Sequence, residues 1–146
     1  MAVYTTIDDP EAYFQTVIWT GNGSDDRAIT LPGDTNMQPD LVWVKGRTDT
    51  YRNALFDAAR GATKYVESDT NTAEQTGATF LKSFTSDGFT LGTGGRVNTN
   101  TETYVAMCWK EASGIFDIAL YTGTDETSHT VAHNLSAIPH MMWVKS

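Results

Sequence analysis

The sequence predicts an all-β domain, an antiparallel β-sandwich or jelly roll with at most one or two short helical turns. Three observations carry that prediction. Threonine, a β-branched residue, occurs 23 times in 146 residues, while strong helix formers are scarce. Short apolar and aromatic runs recur at roughly ten-residue spacing, separated by Gly, Asn, Asp and Ser, as in sandwiches and barrels. The chain shows neither βαβ alternation nor heptads.

In chain order, Asp9-Pro10-Glu11-Ala12-Tyr13 suits a short helical turn, with Asp9 as N-cap and Pro10 at the first position. Phe14–Gly21 reads as a strand, with Phe14, Thr16, Ile18 and Thr20 alternating against Gln15, Val17, Trp19 and Gly21. Gly21–Asp26 is a polar loop. Leu41-Val42-Trp43-Val44, bounded by Pro39 and Gly46, is the short apolar run of a strand covered on both faces. Arg52–Ala59 is ambiguous: its alanines favour helix, its length suits a strand. Thr63–Ser68 is expected to be a strand, and Asp69–Thr76 a turn or short helix. Phe80–Phe84 and Phe89–Leu91 flank Ser86-Asp87-Gly88, a strong hairpin signal. Gly92-Thr93-Gly94-Gly95 is expected to be a flexible turn. Thr103–Lys110 predicts a strand with Tyr104, Ala106 and Cys108 on one face and Val105, Met107 and Trp109 on the other.

The length is that of one domain with one core, over residues 1–146. A formal net charge of −8, from 10 Lys+Arg against 18 Asp+Glu, argues against nucleic acid and against an anionic membrane surface as partners. Cys108 is the only cysteine, so no intrachain disulfide is available. The longest apolar run, Val105–Trp109, falls far short of the roughly 20 residues of a membrane helix. Met1–Thr6 has neither the basic nor the apolar region of a signal peptide.

Comparing the chain with itself reveals a repeat. Phe14-Gln15-Thr16-Val17-Ile18-Trp19-Thr20-Gly21 returns as Phe116-Asp117-Ile118-Ala119-Leu120-Tyr121-Thr122-Gly123. Gln38-Pro39-Asp40-Leu41-Val42-Trp43-Val44-Lys45 returns as Ile138-Pro139-His140-Met141-Met142-Trp143-Val144-Lys145. A fixed spacing of similar segments marks a copied structural unit. Residues 1–112 then form a first unit, and 113–146 the first two strands of a second. Those strands, Phe116–Thr122 and Met141–Lys145, are expected to complete the sandwich or to exchange with a neighbouring subunit, through Phe116, Ile118, Leu120, Met141 and Trp143.

Little of the sequence suggests catalysis. His129, His133 and His140 cluster late, but outside a helix and without a Cys or carboxylate to complete a zinc set, so they read as surface or turn residues. The Asn22–Asp26 loop gathers the oxygen donors of a calcium site but lacks EF-hand spacing, and turn geometry explains its composition as well. The Gly92 loop lacks the strand–loop–helix setting of a phosphate cradle. Cys108 lies in an apolar strand, where a thiol is inert. Asp57 and Arg60 suit an ion pair worth little if exposed, and no carboxylate pair is placed for acid–base work. Among the aromatics, Trp43 and Trp143 occupy equivalent apolar strands and are expected in the core. Trp19 and Tyr121, also equivalent, are candidate partner or glycan contacts.

Five ordered blocks carry a resemblance: Tyr4–Pro10, Trp19–Gly23, Gln38–Lys45, Leu55–Gly61 and Ser86–Gly92. Together they resemble a repeat module of uncharacterised, tail-fibre-like bacteriophage virion proteins. The resemblance implies a lectin-type β-sandwich, a place in the virion and no enzymatic activity, with no catalytic or ligand residues to carry over. Long relatives carry the second module complete; two strands of it argue against a long tail fibre. The expectation is a non-enzymatic structural protein, a capsid decoration or cement protein or a small tail-attached module. It would contact other virion proteins and form a homo-oligomer, with a trimer favoured. The alternative is a receptor- or carbohydrate-binding module of a tail fibre, recognising a host surface glycan.

Overall fold

The structure, a computed structural model, describes residues 7–146. Met1–Thr6, and with them the start of the Tyr4–Pro10 block, lie outside the described residues. Among the described residues the regular structure is all β apart from a 3-10 turn (Pro10–Ala12) and a single helical turn, α1 (Gly95–Asn98). The strands are β1 (Phe14–Thr20), β2 (Arg27–Thr30), β3 (Leu41–Gly46), β4 (Ala54–Asp57), β5 (Lys64–Glu67), β6 (Gln75–Thr76), β7 (Leu81–Thr85), β8 (Gly88–Leu91) and β9 (Thr103–Trp109). They form a six-stranded sheet, ordered β1-β9-β3-β4-β5-β6, and a three-stranded sheet, ordered β2-β8-β7. Every pairing is antiparallel.

Local chemistry explains the punctuation. Asp9 caps the first turn by accepting from Glu11 N, and Pro10 stands at its start, where no amide is needed. In the β7–β8 hairpin Thr85 faces Gly88, leaving Ser86-Asp87 as the two-residue turn. Gly88 has φ +122° and lies so close to Ile29 O that a Cβ would sit 2.0 Å away. Only glycine fits there. Arg52–Ala59 resolves as strand, because Ala54 and Phe56 pair with Val44 and Val42 and share their inward face. Asp69–Thr76 contains the short edge strand β6 instead of a helix.

The core lies between the sheets. Val17, Trp19, Tyr104, Ala106, Cys108, Val42, Val44 and Phe56 point inward from the larger sheet, meeting Ile29, Leu81, Phe89 and Leu91 of the smaller. Burial in β9 alternates as the sequence indicates, with Tyr104, Ala106 and Cys108 fully inside. Trp19 stacks on Tyr104 at 5.5 Å and meets Phe89 edge-on at 5.9 Å. Its Nε1 donates to Val97 O at 2.9 Å. The Tyr104 hydroxyl donates to Gly95 O and accepts from Thr99 N. Both large rings thus have their polar ends satisfied. Trp19 is only 6% exposed, so it is a core residue and not a glycan contact.

Residues 110–146 contain no strand, only an isolated bridge between Ala112 and Phe116. The expected strands Phe116–Thr122 and Met141–Lys145 are irregular. The physical reason lies in the sheet order: β9 has β1 on one edge and β3 on the other. The sandwich already holds both members of this pair beside β9, so the repeated segments cannot take the places in it that their sequences match.

Candidate interaction surface

Alternation along the larger sheet decides what its outer face presents. Gln15, Val17 and Trp19 point inward, leaving Phe14 and Ile18 outside, 42% and 63% exposed. In β3, Val42 and Val44 take the inward positions, so Trp43 faces out, half-buried, and is not in the core. Val105, Met107 and Trp109 of β9, and Leu55 of β4, share this face. A sheet face turned away from its core is ordinarily polar; this one is apolar and aromatic.

Part of the C-terminal segment lies on it. Trp109 is the hub, with ring centres 5.0 Å from Phe14, 6.2 Å from Phe116 and 6.4 Å from Trp143. Trp143 meets Trp43 edge-to-face at 5.5 Å and 89°. Met142–Lys145 and the strand residues Trp43, Leu55 and Val66 border a cleft of about 430 Å³. Trp43 Nε1 is shielded from solvent and finds no acceptor among the described residues. Lys145 Nζ reaches Thr72 O at 2.7 Å. Glu111 Oε1 holds Ile118 N at 2.7 Å, and Glu111 N donates to Asp40 Oδ2. Burial raises the Glu111 carboxyl above its usual range; the Ile118 amide opposes that rise, while Asp40 and Asp117 add to it.

Residues 9–146 match the model of the family described as a domain of unknown function (DUF7483). The chain belongs to the DUF7483 family. No match was found among curated proteins or among solved structures.

In this DUF7483 domain the candidate residues of the repeated segment divide by position. Phe116 and Trp143 touch the outer face, Ile118 is half-buried, and Leu120 and Met141 are exposed. Trp143 is 62% exposed and so is not a core residue. Tyr121 is exposed beside His129, ring centres 6.1 Å apart. His129, His133 and His140 are all exposed.

The Asn22–Asp26 loop is occupied by protein groups. Lys82 Nζ lies 3.0 Å from Asp25 Oδ1 and 2.6 Å from Asp26 Oδ1, which lowers the Asp25 carboxyl and raises the Lys82 amine from their ordinary values. An ammonium stands where a cation would be needed, so the donor set does not fit calcium. Asn98, a fully buried polar residue, holds the loop from beneath. Its Oδ1 accepts from Asn22 N and Arg27 Nη1, and its Nδ2 donates to Ser24 O and Gly92 O. Nothing in the sequence marked Asn98 as buried.

The Gly92–Gly94 loop does run from a strand into helix α1, contrary to expectation, but it is packed and not flexible. Gly92 N donates to Phe80 O and Gly94 N to Thr79 O, so those amides do not cradle a ligand. Asp57 and Arg60 pair as expected, yet Asp57 is fully buried instead of surface-exposed, and burial raises its carboxyl above the usual range. Burial likewise pushes the Cys108 thiol up to about 12. Among the described residues no His, Cys, Asp and Glu group is arranged to hold a metal, and no helix is long and apolar enough to cross a membrane.

Proposed function

We propose that this domain is a non-enzymatic structural part of a bacteriophage virion, either a capsid decoration or cement protein or a small tail-attached module. It acts through protein–protein contacts made by the outer face of the six-stranded sheet. The observation that carries this reading is the aromatic line Phe14–Trp109–Trp143–Trp43 on a face turned away from the core. Exposed apolar surface of this kind, rimmed by polar residues, is characteristic of association sites. The virion setting rests on the five sequence blocks that resemble phage virion modules. The partners are other virion proteins and further copies of the chain, with a trimer favoured.

Light scattering on the purified chain from low to high micromolar concentration tests this reading. The expected result is a defined oligomer that Ile18→Lys and Phe14→Lys dissociate without altering the circular dichroism. A monomer at every concentration that also fails to sediment with phage particles would refute it.

A receptor- or carbohydrate-binding module is the second reading, favoured by the exposed ring of Tyr121 beside His129. Binding on a glycan array that Tyr121→Ala abolishes would support it; an array without hits would remove it.

A further inference from the structure

The six-stranded sheet ends on two very different edges. One is β6, with 2 residues; the other is β1, with 7. In the smaller sheet the edge strand β2 opens on Arg27, and the edge strand β7 carries Lys82 and a register shift between Leu81 and Ser83. Short length, charge and irregular register are the ordinary protections of a sheet edge. Phe14–Thr20 has none of them: no charge, no proline and no bulge in its pairing with β9.

The hydrogen bonds at its two ends fix which groups β1 leaves open. Lys110 N donates to Tyr13 O, and Gly21 N donates to Glu102 O, so by antiparallel alternation the odd-numbered residues bond β9. Phe14, Thr16, Ile18 and Thr20 turn N–H and C=O towards the free edge, and all four are exposed. Arg27 Nη1 donates to Thr20 O. Phe14, Thr16 and Ile18 have no main-chain partner on that edge among the described residues. A cleft of about 250 Å³ is bordered by Phe14 and Thr16 of this strand, by Pro32 and Gly33, and by Glu11. Glu11 before the strand and Arg27 at its far end flank the edge, neither with an ion-pair partner among the described residues.

We propose that the free edge of β1 pairs antiparallel with β1 of a second copy of this chain, about a two-fold axis at Thr16. In that register the three open residues complement themselves. Phe14 lies opposite Ile18 of the second copy, Thr16 opposite Thr16 and Ile18 opposite Phe14, each pair exchanging both of its main-chain hydrogen bonds. Aromatic against β-branched, and threonine against threonine, are favourable cross-strand neighbours. The same register sets Thr20 opposite Ala12, which brings Arg27 of one copy to the Glu11 turn of the other, at both ends. Charge thus selects the antiparallel sense, since a parallel pair would set Glu11 beside Glu11 and Arg27 beside Arg27. The two six-stranded sheets join edge to edge, and their outer aromatic faces become continuous. The inference rests on the reading that copies of the chain associate, and assigns one contact of that assembly. A two-fold pair closes at two copies, so three-fold packing would use another surface.

Sedimentation of the full chain should give an even number of copies. Thr16→Cys supplies the direct test. Residues opposite each other in a hydrogen-bonded antiparallel pair have Cα atoms about 5.5 Å apart, within the roughly 4.4–6.8 Å that a disulfide spans. Mild oxidation at micromolar protein should convert most of the Thr16→Cys chain to a covalent dimer and leave Thr20→Cys, far from the axis, uncoupled; Cys108 is buried and does not compete. Thr16→Lys opposes like charges on the axis and should raise the dissociation constant at least tenfold with the circular dichroism unchanged. Glu11→Lys should raise it severalfold, and less so in high salt. A monomer, or an oligomer in which Thr16→Cys couples no faster than Thr20→Cys, would overturn the proposal. That uncoupled oligomer, or a monomer that still sediments with phage particles, would leave the assembly reading standing while removing this contact from it.

Discussion

Asn98→Ala removes one side chain and four hydrogen bonds at once. The Gly92 carbonyl is buried and loses the Asn98 amide, a desolvation cost of about 1–3 kcal/mol. Asn22 N, Ser24 O and Arg27 are partly accessible, so water replaces some of what they lose, and each contributes about 0.5–1 kcal/mol. The sum is about 2.5–6 kcal/mol, a large share of the roughly 5–15 kcal/mol typical of a folded domain. With a urea slope of about 2 kcal/mol/M the unfolding midpoint falls by about 1.2–3 M. Urea titration followed by Trp fluorescence measures it directly, since Trp19 donates to Val97, the neighbour of Asn98. Calcium at millimolar concentration should leave both midpoints unchanged, because the Lys82 ammonium already pairs with both loop carboxylates. A loss below about 1 kcal/mol at constant slope would refute the account of Asn98 as the support of this loop. A calcium-dependent rise in stability would refute the account of Lys82.

Three further outcomes follow from the buried groups. Arg96 pairs with buried Glu67 at 2.6 Å and lies over the Tyr65 and Phe80 rings, so Arg96→Met should cost about 3–5 kcal/mol by stranding a buried charge. Adding Glu67→Gln should recover much of that loss in a double-mutant cycle measured by urea unfolding. Burial raises the folded Asp57 carboxyl, so the folded state binds the proton more readily than the unfolded chain. Its contribution is fully present below the unfolded value and is lost as pH rises through the raised folded value. The stability of wild type relative to Asp57→Asn should therefore increase as pH falls from about 6 to about 4, checked by thermal melts across that range. Cys108, its thiol pushed up to about 12, should resist iodoacetamide at pH 8 for hours while folded and react fully in denaturant; labelling of the native protein within minutes would contradict its burial.

What the sequence made legible was mostly local. The Asp9-Pro10 turn, the Asp87-Gly88 hairpin and the two faces of Thr103–Trp109 each depend on residues within one turn or one strand, and each stands as read. Trp43 was misplaced because a short all-apolar run conceals its period of two: Val42 and Val44 face inward, and the larger ring between them faces out. The strands expected at Phe116–Thr122 and Met141–Lys145 failed for a different reason. Their composition matches β1 and β3 closely, but strand formation needs a partner edge, and propensity carries no information about whether one is free. Asn98 was invisible because its burial depends on four groups spread from Asn22 to Gly92, none of them adjacent to it in sequence.

The position of β9 also bears on how the domain comes to exist. The strand that unites β1 with β3 is the last one made, and Val17 finds its partner Ala106 only after every other strand has been synthesised. Closing so long a loop makes folding slow, with much of the larger sheet waiting on one late event. A nascent chain that has emerged only as far as Gly46 has β1 and β3 but no strand to join them.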